Sequence, residues 1–229
     1  MTEHDWFDER SRPQAMVWQL KNTPITRTKS GRRKLRLFAC GCCRLIWPHL
    51  EDSHLRDAVE TAERFSDGKA TAAELEAAGP IAHATIERNS RGFSADDSHA
   101  QINTVVAMAV STTHVRPFAA AFSLTAYPLP LAGHRGNERE ANGLICGLLR
   151  DIFGNQFRKA HFDPAWRTDT ALSLATQMYD SRDFGAMPIL ADALQDAGCD
   201  NEDILNHYRD AHATHVRGCW VVDLVLGKE

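Results

Sequence analysis

Met187–Leu226 reads MPILADALQDAGCDNEDILNHYRDAHATHVRGCWVVDLVL. Apolar residues recur at helical spacing from Met187 to Ala197, and Gly198 supplies a stop. Asp200 with Asp203 then caps a helix carrying Ile204, Leu205 and Tyr208, where first-turn acids complement the helix dipole. The closing run, Val216 to Leu226, fits a helix or a buried strand. Trp220, Val221 and Leu224 follow the helical spacing and Gly227 stands at the stop. No other segment offers a pairing strand, so the run reads as a helix. The chain then reads as all-α, an irregular multi-helix globular domain of roughly eight to eleven pairwise packed helices.

The same signals extend upstream. Asn137 opens a helix through Leu144, Ile145, Leu148, Leu149, Ile152 and Phe153, closed by Gly154-Asn155. Thr168 or Asp169 caps a helix from Ala171 to Tyr179. Tyr127–Gly136 (YPLPLAGHRG) cannot continue a helix, because it holds two prolines and two glycines. It is the expected boundary between an N-terminal helical half, 1–126, and a C-terminal half, 137–229, which pack as two helical halves. In the first half, Pro13–Leu20 is a short helix with proline in its first turn. Leu35–Trp47 is a helix with apolar residues on most sides. Ser53 opens the next helix, Thr71 with Glu74 forms a capping box, and Gly79-Pro80 breaks or restarts the helix that follows.

With 229 residues the chain can bury a sizeable core. A net charge of −4 exerts no general pull toward nucleic acid or an anionic membrane. No apolar run approaches the ~20 residues of a membrane helix, and the N-terminal MTEHDWFDER lacks the features of a signal peptide. A cytoplasmic protein is the expectation. The six cysteines, Cys40, Cys42, Cys43, Cys146, Cys199 and Cys219, then read as buried thiols or metal ligands and not as disulfides.

Three constellations could carry function. Cys199, His207, His215 and Cys219 supply the Cys and His donors that zinc takes tetrahedrally. On a helix His215 and Cys219 would share a face. Cys199 and His207 flank a helix and would lie about 10 Å apart, which works against convergence of all four. His212 could replace His207, and Cys40 or Cys43 could replace Cys199. The plainer alternative is buried cysteines and hydrogen-bonded histidines. The second constellation is the basic segment 21–34 with its flank. Arg27, Lys29, Arg32, Arg33, Lys34 and Arg36 could neutralise phosphates, or could be a solvated loop and the exposed start of a helix. Third, tryptophans in short helices and turns, Trp6, Trp18 and Trp166, could anchor a protein partner or pack in the core.

The blocks FACGCCRLIW (38–47), LLRDIFGNQFR (148–158), FDPAWRT (162–168), PILADALQDAGCDNEDILNH (188–207) and HVRGCWVVDLVLGKE (215–229) resemble a paralogous family of uncharacterised bacterial proteins. The resemblance covers most of the chain. It departs in the basic linker, Ile25 to Lys34, and in the middle third. It implies a shared fold and no mechanism.

No Gly-rich phosphate loop, G-x-S-x-G or H-E-x-x-H is present. A non-catalytic helical interaction module, zinc-stabilised through the Cys/His cluster, is the leading expectation. A metal-dependent or thiol-based enzyme using that cluster is the alternative, and nucleic-acid binding through 27–36 is the third.

Overall fold

The computed structural model describes residues 1–90, 97–126, 138–209 and 214–228. The expected boundary at 127–136 lies outside them, as does His212. Among the described residues there are twelve α-helices, three 3-10 turns and no strand. The all-α expectation therefore holds. No helix among them is long and apolar enough to cross a membrane.

The helices are α1 (Glu3–Phe7), α2 (Pro13–Lys21), α3 (Lys29–Leu45), α4 (Ser53–Ser66), α5 (Ala72–Ser90), α6 (Asp97–Thr112), α7 (Pro117–Leu124), α8 (Glu138–Phe153), α9 (Asp169–Ser181), α10 (Met187–Asp196), α11 (Glu202–Arg209) and α12 (Trp220–Leu226). The chain forms two compact units. A terminal unit joins residues 1–9 to 147–229, and a central unit holds 10–146. The division falls inside α8.

In the central unit, α3 packs against α4, α6 and α7, and α4 packs against α5 and α6. Leu35, Leu37, Phe38, Ala39, Cys40, Cys42 and Cys43 of α3 are all buried, as helical spacing of apolar residues on several faces requires. Cys40, Cys42 and Cys43 are free thiols whose burial pushes their ionisation well above the ordinary range. Glu63 lies buried on α4 and accepts two parallel bonds from Arg44, at 2.9 and 2.8 Å. A fork of this kind compensates the carboxylate for the water it has lost.

The basic segment is not a linker. Thr28 caps α3 by accepting the Gly31 N–H, so the helix begins at Lys29. Several of its cations are used inside the fold. Arg33 pairs with Asp67 at 3.2 Å, and Arg32 donates to the Arg27 carbonyl at 2.8 Å. Arg36 is buried over Phe65 and donates to the His114 carbonyl. Of the three candidate anchor tryptophans, Trp6 and Trp166 are core residues, whereas Trp18 is 50% exposed beside Phe122.

Several local expectations shift. Asp52, not Ser53, caps α4. Pro80 does not break α5, because the ring and the carbonyl it displaces lie on an exposed face. Thr2 and Asp5 form a capping box that starts α1, a helix the apolar pattern does not signal. Asn201, not Asp200, caps α11, accepting from Asp203 and Ile204.

Two glycines test this packing. A Cβ at Gly31 would lie 1.9 Å from the Ile25 carbonyl oxygen, while one at Gly143 on α8 would meet nothing within 4 Å. Gly31→Ala is expected to lose at least about 2 kcal/mol through overpacking. Gly143→Ala is expected to gain roughly 0.5–1 kcal/mol through helix propensity. Urea unfolding of both variants checks the contrast.

Candidate metal centre

The terminal unit has its own core: Ala171, Ala175, Met178 and Tyr179 of α9, Leu190 and Leu194 of α10, Ile204 and Tyr208 of α11, and Val221, Val222 and Val225 of α12. At one edge of it four side chains converge: Asp151, His207, His215 and Cys219. Their potential ligand atoms all lie within 4.8 Å of one another.

Each residue is placed by a different element. Asp151 stands near the end of α8, on the stripe that carries Leu148 and Ile152, and is only 2% exposed. His207 projects from α11. His215 and Cys219 flank a turn in which Gly218 takes φ +93° and the Cys219 N–H donates to the Val216 carbonyl at 3.0 Å. Cys219 caps α12, which begins at Trp220 and not at Val216. The expected helical face shared by His215 and Cys219 is thus replaced by a turn that brings them to the same place. Gly154, at φ +62°, ends α8 where a Cβ would press on the Trp220 ring at 3.0 Å. Trp220 in turn packs on His207, with ring centroids 5.4 Å apart.

Asp151 is the hub. Its Oδ1 lies 3.1 Å from His207 Nε2 and 2.7 Å from His215 Nδ1. Its Oδ2 accepts the Val216 N–H at 3.0 Å. His207 Nε2 also lies 3.3 Å from Cys219 Sγ. The two imidazoles meet edge to face at 5.0 Å, and His215 Nε2 is buried with no hydrogen-bond partner among the described residues. Burial pushes the Asp151 carboxyl up. The hydrogen bonds and charge of His207 and His215 outweigh it and hold the group below the ordinary carboxylate value. The Cys219 thiol is driven well above its ordinary value by burial and by the neighbouring Asp151 charge, while the Val222 and Val221 N–H groups pull the other way.

The donor geometry discriminates between uses. A Cys–His–Asp triad needs the two ring nitrogens facing opposite partners, one toward the acid and one toward the thiol. Here a single nitrogen, His207 Nε2, faces both Asp151 and Cys219. Donors that converge on one point suit an ion. Ligand bonds of 2.0–2.3 Å imply tetrahedral edges of roughly 3.3–3.8 Å, so the short contacts of 2.7–3.3 Å must open, and separations toward 4.8 Å must close, by roughly 1 Å.

The structure brings together His207, His215 and Cys219 of the four residues expected from sequence. Cys199 stands apart in the core. A helix separates it from His207, as the rise per residue anticipates. Cys40 and Cys43 are not in the group either. The fourth member, Asp151, is a carboxylate and so lies outside the Cys and His donor set that the sequence suggests. Its signal was an acid on an apolar helical stripe, between Leu148 and Ile152.

The chain matches no protein-family model, no curated protein and no solved structure.

Asp151→Ala removes a charged acceptor from two histidines and leaves the Val216 N–H unpaired. The expected cost is at least about 3 kcal/mol. Asp192→Ala, at a side chain 75% exposed on α10, is expected to stay within about 0.5 kcal/mol. Thermal and urea unfolding compare the two, and a loss below about 1 kcal/mol for Asp151→Ala would remove it as the hub.

Proposed function

We propose that this chain is a non-catalytic, cytoplasmic helical interaction module whose terminal unit is held together by a structural zinc ion. The ligands in this reading are Asp151, His207, His215 and Cys219. The observation that carries it is the convergence of four ligand-type donors from α8, α11 and the turn before α12 within 4.8 Å.

Charge supports a divalent ion. One carboxylate, one thiolate and two neutral imidazoles balance a 2+ cation, so a buried site of this composition carries no net charge. The mixture of sulfur, nitrogen and oxygen donors is within zinc's repertoire. A bound cation would also lower the thiol ionisation that burial now raises, because the ligating form of cysteine is the thiolate. Protein side chains fill four positions, and Asp151 and Cys219 are almost inaccessible, which favours a structural role. Six free, buried cysteines suit a reducing compartment. Trp18 and Phe122 supply exposed aromatic surface of the kind that anchors partners.

Metal analysis of untagged protein is expected to give about one zinc per chain, with a large fall in Tm on chelation. Asp151→Asn, His207→Gln, His215→Gln and Cys219→Ser are each expected to weaken zinc binding by at least about tenfold. Cys199→Ser is expected to keep the metal. Loss of zinc in Cys199→Ser with retention in Asp151→Asn would overturn the ligand set. Protein that neither carries nor takes up zinc would overturn the function.

A further inference from the structure

The segment between α8 and α9, which ends in FDPAWRT, contributes nothing to the metal centre, yet it walls a cavity. The cavity has a volume of about 340 Å³ and is lined by Lys159, Ala160, His161, Phe162, Arg167 and Leu224. That size is at the low end of ligand pockets, which run to about 300–1,000 Å³. Every ionisable side chain in the lining is basic.

The walls are held before any ligand arrives. Arg167 donates from Nε and Nη2 to the Leu224 carbonyl, at 3.2 and 2.8 Å. This occupies the Leu224 carbonyl near the end of α12, an oxygen that would otherwise disfavour an anion. The same guanidinium lies 5.2 Å over the Phe162 ring, and Phe162 packs edge-on against Trp166 at 5.4 Å. His161 meets the other side of the motif, its ring 6.3 Å from Trp166, and its carbonyl accepts from Asn201 at 3.1 Å. The acid in the segment, Asp163, caps its own turn, accepting the Ala165 N–H at 2.8 Å, and does not line the cavity. Lys159 is exposed at the rim.

We propose that this cavity binds a small organic oxyanion, a carboxylate or a phosphate ester, with Arg167 and Lys159 as its charged contacts and Phe162 as its apolar wall. A planar guanidinium fixed by a carbonyl and an aromatic face is preorganised for an oxyanion. Lys159 adds a flexible point charge. None of the residues lining it belongs to the metal centre.

The test is an amide-shift titration of the full chain with four probes: inorganic phosphate, phenyl phosphate, acetate and benzoate. Zinc-loaded and chelated protein are both used, so that the fate of the metal reading does not decide this one. Saturable shifts are expected in residues 159–167 and 224–227 for at least one aromatic probe, weakening with added salt. Tighter phenyl phosphate assigns a phosphate ester, and tighter benzoate assigns a carboxylate. Lys159→Gln is expected to weaken binding about threefold. Arg167→Lys is expected to weaken it at least about tenfold. Arg167 also ties down α12, so Lys159→Gln, at an exposed side chain, separates lost binding from lost folding. Absence of saturable shifts with all four probes, at concentrations on the order of ten millimolar, overturns the proposal. So does wild-type affinity in both variants.

Discussion

A carboxylate that is 2% exposed organises the terminal unit. Asp151 cannot stand unpaired away from water, since an uncompensated buried charge costs several kcal/mol. Everything near it answers that demand. Two imidazoles point at the same oxygen, the Val216 N–H takes the other, and Cys219 closes the group. These partners come from parts of the chain far from α8 in sequence. Meeting the carboxylate therefore fixes how α11 and α12 pack onto the end of α8. Arg150, next to Asp151, extends the same anchorage to the N-terminus by donating to the Trp6 and Asp8 carbonyls, both at 2.9 Å. That is why residues 1–9 belong to this unit.

Two of the buried carboxylates, Glu63 and Asp151, solve the desolvation problem differently. Glu63 in the central unit accepts the Arg44 fork, a partner of fixed charge. Asp151 faces donors whose protonation is adjustable and which are all metal-ligand types. Among the described residues His215 Nε2 is buried without a partner, and burial together with the Asp151 charge pushes the Cys219 thiol up. A divalent cation at the site would favour the thiolate beside the carboxylate. The physical account of the fold and the proposed function thus rest on the same four side chains.

Much of this fold was legible in the sequence. Apolar spacing marked nearly every helix, and glycine stops such as Gly154 and Gly227 carry the positive φ that a helix terminus uses. What failed was chemistry decided locally by competition. Asn201 outcompeted Asp200 for the α11 cap, and Thr28 turned a polar stretch into the first turn of α3. Three of the four cluster residues could be named from type and spacing alone. Asp151 could not, because its part in the site depends on which helix face meets α11. Cys199 was drawn in by composition, although the geometry of α11 already argued against it. The oxyanion cavity had no sequence signature, since Lys159 and Arg167 are ordinary until Phe162 and Trp166 set them around one space.

Zinc K-edge absorption of the zinc-loaded full chain tests the central claim most directly. The account predicts a four-coordinate ion with one sulfur at about 2.3 Å and three nitrogen or oxygen neighbours near 2.0–2.1 Å. Two sulfur neighbours would bring Cys199 or another cysteine into the site and contradict the Asp151 centre. A shell without sulfur would place the ion elsewhere.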